Sequence, residues 1–193
     1  MKKSIILLLA MSFILSSCVY SLFPIYTPDT IRYNQRLIGT WKGPENELTF
    51  KLNNKEDTSE GYIMTIIDSG GEYKFKTFLV EIGNEFYLDM FPEMGDLHHA
   101  LEVYAMNLYP MHTFQKVSIK DNQLSITTFS LERLSELFKR NQIRLRHELV
   151  SQNGDPEDAE VVITAQPKEL QKFIEVYSKD ESVFDQTVKY TRE

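Results

Sequence analysis

The chain has 193 residues, 42% of them hydrophobic, which fits one globular domain plus a targeting segment. A mature domain of about 150 residues buries roughly 70% of its unfolded surface and needs no staple. With Cys18 as the sole cysteine it has no intrachain disulfide in any case. The formal charge of −7 repels phosphate backbones and anionic headgroups, which argues against nucleic acid as a partner.

In chain order, the first element is a leader. Lys2 and Lys3 precede an apolar run from Ile5 to Leu15 broken only by Ser12. That run has signal-peptide length and falls short of the about 20 residues a spanning helix needs. It ends at Leu15-Ser16-Ser17-Cys18, which resembles the bacterial lipobox: a branched apolar residue, two small residues, then the cysteine that receives diacylglycerol. An ordinary secretory site prefers Ala-x-Ala, which is absent here. The resemblance implies cleavage after residue 17, a lipid on Cys18, and a membrane-anchored protein of the cell envelope. Two or three acyl chains hold a protein where one alone binds reversibly. Loss of the leader with Lys2 and Lys3 takes the formal charge from −7 to −9. The residues that follow, Val19-Tyr20-Ser21-Leu22, carry no acidic cluster resembling a surface-export signal. The expected location is therefore the outer membrane, facing the periplasm.

Residues 18–36 form an aromatic tether in which Tyr20, Phe23, Tyr26 and Tyr33 alternate with Pro24 and Pro28, a composition that packs or stiffens rather than floats. Two readings stand: a strap on its own domain, or an interfacial contact with the membrane beside the anchor. The single domain, residues 37–193, reads first as strands. Residues 47–52 alternate, with Leu48, Phe50 and Leu52 on one face. Strands over 61–67 and 73–82 flank Ser69-Gly70-Gly71, and Gly83-Asn84 turns the chain into 85–91. Further strands are predicted over 101–108 and 112–119, and Asp121-Asn122 leads into 124–129. Ser130 caps a helix with Leu131, Leu134, Leu137 and Phe138 on its face, and Pro167 opens another with Leu170, Phe173, Ile174 and Tyr177. Between them 143–150 and 160–165 read as strands, and 186–191 as the closing one. Strands joined by tight turns favour an antiparallel sheet that closes on itself and so loses its edges. The fold class is mainly β, an antiparallel meander or barrel with two packing helices in the C-terminal half.

Asn34-Gln35-Arg36-Leu37-Ile38-Gly39-Thr40-Trp41 resembles the start of a lipocalin-like, or calycin, barrel, where a helical turn leads into Gly-x-Trp. The resemblance implies that Trp41 plugs the closed end of the barrel beneath an arginine from a late strand, for which Arg144 and Arg146 are the candidates. Such a cation–π contact is worth about 0.5–2 kcal/mol. The mature chain is also similar in layout to a group of bacterial lipoproteins that share this plan.

Residues able to do chemistry are few. Asp96, His98 and His99 share a loop, but adjacent histidines point apart on an extended chain, and no His-x-x-x-His spacing occurs. His112 and His147 belong in or beside the sheet, each hydrogen-bonded. Asp155, Glu157, Asp158 and Glu160 lack EF-hand spacing and read as a solvated run. There is no Gly-x-Ser-x-Gly elbow, no phosphate-cradling glycine loop, and after lipidation no free thiol. Neither a metal nor a cofactor is expected, no catalytic residue is assigned, and Cys18 is the one assigned site, for lipid attachment. The functional expectation is binding of a small apolar or amphipathic ligand by the barrel close to the membrane. The alternative is a filled, non-catalytic accessory module that docks another envelope protein.

Overall fold

The computed structural model describes residues 19–54, 56–93, 109–151, 154–155 and 159–193. The predicted strand over 101–108 lies outside them. The fold is mainly β, with 48% of residues in strands. Eight strands make a closed antiparallel barrel: β3 (Gly39–Lys42), β4 (Glu47–Leu52), β5 (Tyr62–Asp68), β6 (Gly71–Ile82), β7 (Glu85–Pro92), β8 (His112–Lys120), β9 (Gln123–Phe129) and β12 (Phe184–Arg192). Each pairs with the next in chain order, and β12 closes the ring by pairing with both β9 and β3. Closure pairs the backbone groups that an open sheet would leave at its edges.

The turns set this register. Ser69-Gly70 separates the paired Asp68 and Gly71, and the Asp68 carboxylate accepts the Gly70 N–H at 2.7 Å. Gly83, at φ +62°, closes the two-residue turn between Ile82 and Glu85, a conformation glycine adopts without strain. Asp121, at φ +50°, does the same between Lys120 and Gln123; Asp is among the few non-glycine residues that tolerate it.

Between β9 and β12 the chain leaves the barrel. Helix α1 (Leu131–Lys139) is capped by Ser130, whose hydroxyl accepts the Arg133 N–H, and buries Leu134, Leu137 and Phe138. The chain then passes through β10 (His147–Val150), β11 (Glu160–Ile163) and α2 (Pro167–Tyr177), which buries Leu170, Phe173 and Ile174. The segment 143–146, read from sequence as the start of a strand, is irregular. It alternates buried Ile143 and Leu145 with exposed Arg144 and Arg146, but pairs with no strand among the described residues.

The N-terminal residues are part of the fold. Strand β1 (Tyr20–Ser21) lies between β8 and β11, so β10, β11 and β1 form a flap joined to the barrel at the first residues of β8. Strand β2 (Ile31–Arg32) adds to β6 beyond the reach of β5. Val19 and Ile25 are fully buried, and the Tyr26 ring lies 4.2 Å from that of Phe78. Residues 19–32 thus make the strap that their composition suggests.

Two cores result, because alternate residues of a strand face opposite ways. Leu37, Trp41, Leu48, Phe50, Tyr62, Met64, Leu79, Leu88, Met90, Val117, Leu124, Ile126 and Tyr190 form one buried cluster inside the barrel. Phe78, Val80, Ile82, Tyr87, Phe114 and Phe129 point outward and are covered by the strap, the flap and both helices.

Candidate functional site

The inside of the barrel is built from its own large side chains. Trp41, Phe50, Tyr62, Met64, Leu88 and Leu124 are all fully buried there. Trp41 sits at the end where the 3₁₀ turn Gln35–Leu37 enters β3, and its indole N–H donates to the Leu37 carbonyl at 2.9 Å. The cation above it is Arg192 of β12, with its guanidinium carbon 4.3 Å from the ring centroid, and neither Arg144 nor Arg146. Arg192 also donates to the Ile38 carbonyl at 2.9 Å and to the Arg36 carbonyl. A Cβ on Gly39, whose φ is +127°, would lie 2.9 Å from the Arg192 Nη1. The glycine of Gly-x-Trp therefore makes room for the arginine as well as turning the chain. Burial raises the phenol pKa values of Tyr62 and Tyr190 on the same core.

Arg144 and Arg146 lie elsewhere, along a groove outside the barrel. The segment 142–146 forms one wall and α2 the other of an open groove of about 630 Å³. Ile143, Leu145 and Phe173 make an apolar floor, and Val176, 64% exposed, extends it up the helix. The Tyr177 hydroxyl donates to the Gln142 carbonyl at 3.2 Å and ties the walls at one end. Toward the other end the Arg146 Nε donates to Glu169 at 3.2 Å. Glu169 also accepts the Gln166 N–H at 3.0 Å, in the first turn of α2. The Arg146 guanidinium first, and then that N–H, hold its carboxyl below the ordinary glutamate range. Arg144 and Lys172 line the groove and form no ion pair within 4 Å among the described residues. Three cations and one carboxylate thus line this groove in a chain of net charge −7.

Of the histidines, His112 is buried with its Nδ1 2.7 Å from the Asp89 carboxylate, which is itself fully buried. The other Asp89 oxygen accepts the Ile25 N–H at 2.8 Å. Ser21 stands opposite His112 across β1 and β8, so the three residue types of a nucleophilic triad are neighbours. The Ser21 hydroxyl, however, is fully buried and donates to the Phe23 carbonyl at 2.7 Å, which commits it to a local turn. The arrangement fastens the strap to the barrel. Burial, and then the Asp89 charge, raise the Tyr26 phenol beside it.

His147 hydrogen-bonds the Leu145 carbonyl through Nδ1 at 2.8 Å and packs on Phe138. Asp155 and Glu160 are exposed; Cys18, Asp96, His98, His99, Glu157 and Asp158 lie outside the described residues. Among the described residues no three His, Cys, Asp or Glu side chains are grouped to hold a metal ion. No described helix is long and apolar enough to cross a membrane. Sequence reasoning missed Asp89, although a lone carboxylate within Tyr87-Leu88-Asp89-Met90-Phe91 is the mark of a buried polar anchor. It also missed the groove, which needs the packing of two segments far apart in the chain.

No family model, curated protein or solved structure matches the chain.

Proposed function

We propose that the protein is a lipid-anchored module of the bacterial envelope that binds a small amphipathic ligand in the groove along α2. The observation that carries the reading is that groove. It pairs an apolar floor with a basic rim, and its about 630 Å³ falls within the roughly 300–1,000 Å³ of small-molecule sites. The barrel itself, lipocalin-like in its helical turn, Gly-x-Trp start and overlying arginine, supplies a rigid body filled by its own side chains. The lipobox at Leu15-Ser16-Ser17-Cys18 supports the anchor. Cys18 is next in sequence to the buried Val19. Lipid on Cys18 then mounts the domain directly on the outer membrane, with no flexible spacer.

Two measurements test this. Metabolic labelling with an alkyne fatty acid should mark the wild type, whereas Cys18→Ser should stay unlabelled and unprocessed; equal labelling of both defeats the anchor. Native mass spectrometry of protein taken from its own membrane should show a retained small-molecule mass, lost in Val176→Asp. A second reading, docking to an envelope protein, is favoured by β10, the edge strand of the sheet among the described residues, with Leu149 47% and Val150 51% exposed. Such an edge accepts an added strand. A retained polypeptide mass in place of a small one would select it.

A further inference from the structure

We infer that the ligand of the α2 groove is a single-chain amphiphile with an anionic head, its alkyl tail on Phe173 and Val176 and its head between Arg144 and Lys172. This rests on the groove being the binding site, and adds the chemistry of what fills it.

Charge is the first argument. In a chain of net charge −7, the groove carries Arg144, Arg146 and Lys172 against one carboxylate, Glu169. That carboxylate is already engaged by Arg146 and by the Gln166 N–H. Arg144 and Lys172, one from each wall, form no ion pair within 4 Å among the described residues, although the Lys172 charge also acts on Glu169. Two cations lining one groove suit an anionic head. A cationic head there meets repulsion, and a neutral one gains nothing from the charges.

Shape is the second. From Lys172, where the head lies, to Tyr177 the helix rises about 7.5 Å, so the floor covers the first several methylenes of a tail. The floor is one helix face wide, with Ile143, Leu145 and Phe173 buried at its base. This accommodates one medium-length alkyl chain and not the two of a diacyl lipid. Val176, exposed on the helix beside that floor, gains cover when a tail lies across it. The head lies at Arg144 and Lys172, and the tail runs from there over Phe173 and Val176 and out past Tyr177.

The experiment uses the mature lipidated protein in zwitterionic phospholipid nanodiscs. Four dodecyl probes share a tail diazirine and differ only in the head: carboxylate, phosphate monoester, neutral amide and quaternary ammonium. After irradiation the labelled peptides are mapped by mass spectrometry. The carboxylate or phosphate probe should label residues 142–146 and 169–177 about tenfold more than the neutral and cationic probes. Which anionic head labels more strongly tells a free fatty acid from a lysophospholipid-type phosphate. Arg144→Glu with Lys172→Glu should reverse the preference, and Arg144→Gln with Lys172→Gln should flatten it while circular dichroism stays unchanged. Labelling of the groove by all four heads alike would overturn the anionic head and leave the groove standing. Labelling of other peptides, with the groove silent, would overturn both.

Discussion

Trp41 touches the Leu37 carbonyl through its indole N–H and Arg192 through its face, so two segments 150 residues apart meet on one ring. Trp41→Ala should cost about 3–5 kcal/mol in urea unfolding, the range for a large core truncation. Arg192→Ala removes two donors to the chain entering β3 together with the cation, and should cost about 1–2 kcal/mol. Arg144→Ala, remote from Trp41, should leave the midpoint unchanged. Equal losses from Arg192→Ala and Arg144→Ala would reverse this assignment. The tryptophan's role was legible from Gly-x-Trp, but the identity of its cation was not. Which arginine lies above the ring depends on how far β12 slides along β3, and that shift follows from closure of the whole ring rather than from any local pattern. Asp89 obeys the same logic. Its partners, the Ile25 N–H and His112, are distant in sequence, and Asp89→Ala should cost at least about 1–3 kcal/mol because it leaves a buried donor unpaired.

The helices and hairpins were the most readable elements, since their signals are local. Ser130 and Pro167 mark helix starts, and the stripes Leu134-Leu137-Phe138 and Leu170-Phe173-Ile174 mark the buried faces. The segment 143–146 misled because its alternation of apolar and charged residues is that of a strand with one buried face. The structure satisfies the pattern differently. The Gln142 N–H bonds the Leu137 carbonyl, the Arg146 carbonyl accepts from Thr164 N–H, and the stretch between them lies across the foot of α2 as a groove wall. Glu169 joins that wall to the helix, which gives the element a pH dependence. Its carboxyl titrates below the ordinary value when folded, because Arg146 and the Gln166 N–H favour the charged form. The stabilisation is therefore complete above the ordinary glutamate range and is lost as pH falls through the lowered value. Amide protection in the first turn of α2, taken relative to the intrinsic exchange rate at each pH, should fall selectively on acidification across that window. Glu169→Gln should show the reduced protection already at neutral pH, with no further loss of protection on acidification. An acid response that persists in Glu169→Gln would place its cause outside this pair.

Across the whole molecule, one part of the barrel's outer face is apolar, and the strap is one of the pieces that cover it. Val19, Ile25 and Tyr26 cover part of the face that carries Phe78, Val80 and Phe114. Three polar ties fix the strap in place: Ile25 N–H to Asp89, Gln171 Nε2 to the Ile25 carbonyl at 2.9 Å, and Glu81 N–H to the Thr30 carbonyl at 2.9 Å. Each tie reaches a different element, so the strap connects β7, α2 and β6 at once. A strap of this kind and a spacer make opposite predictions for two variants. Deleting residues 19–33 removes β1 and β2, bares that apolar face and takes the Ile25 donor from one oxygen of the buried Asp89. The cost should exceed the about 2–5 kcal/mol of a single large-to-small core change, and the shortened protein should unfold at lower urea and aggregate. Inserting six Gly and Ser residues between Cys18 and Val19 leaves every contact intact and should shift stability by less than about 0.5 kcal/mol. If the deletion unfolded at the wild-type urea concentration, residues 19–33 would be a tether on a domain that begins at β3. If the insertion destabilised as much as the deletion, the residues before Val19 would themselves be part of the folded body.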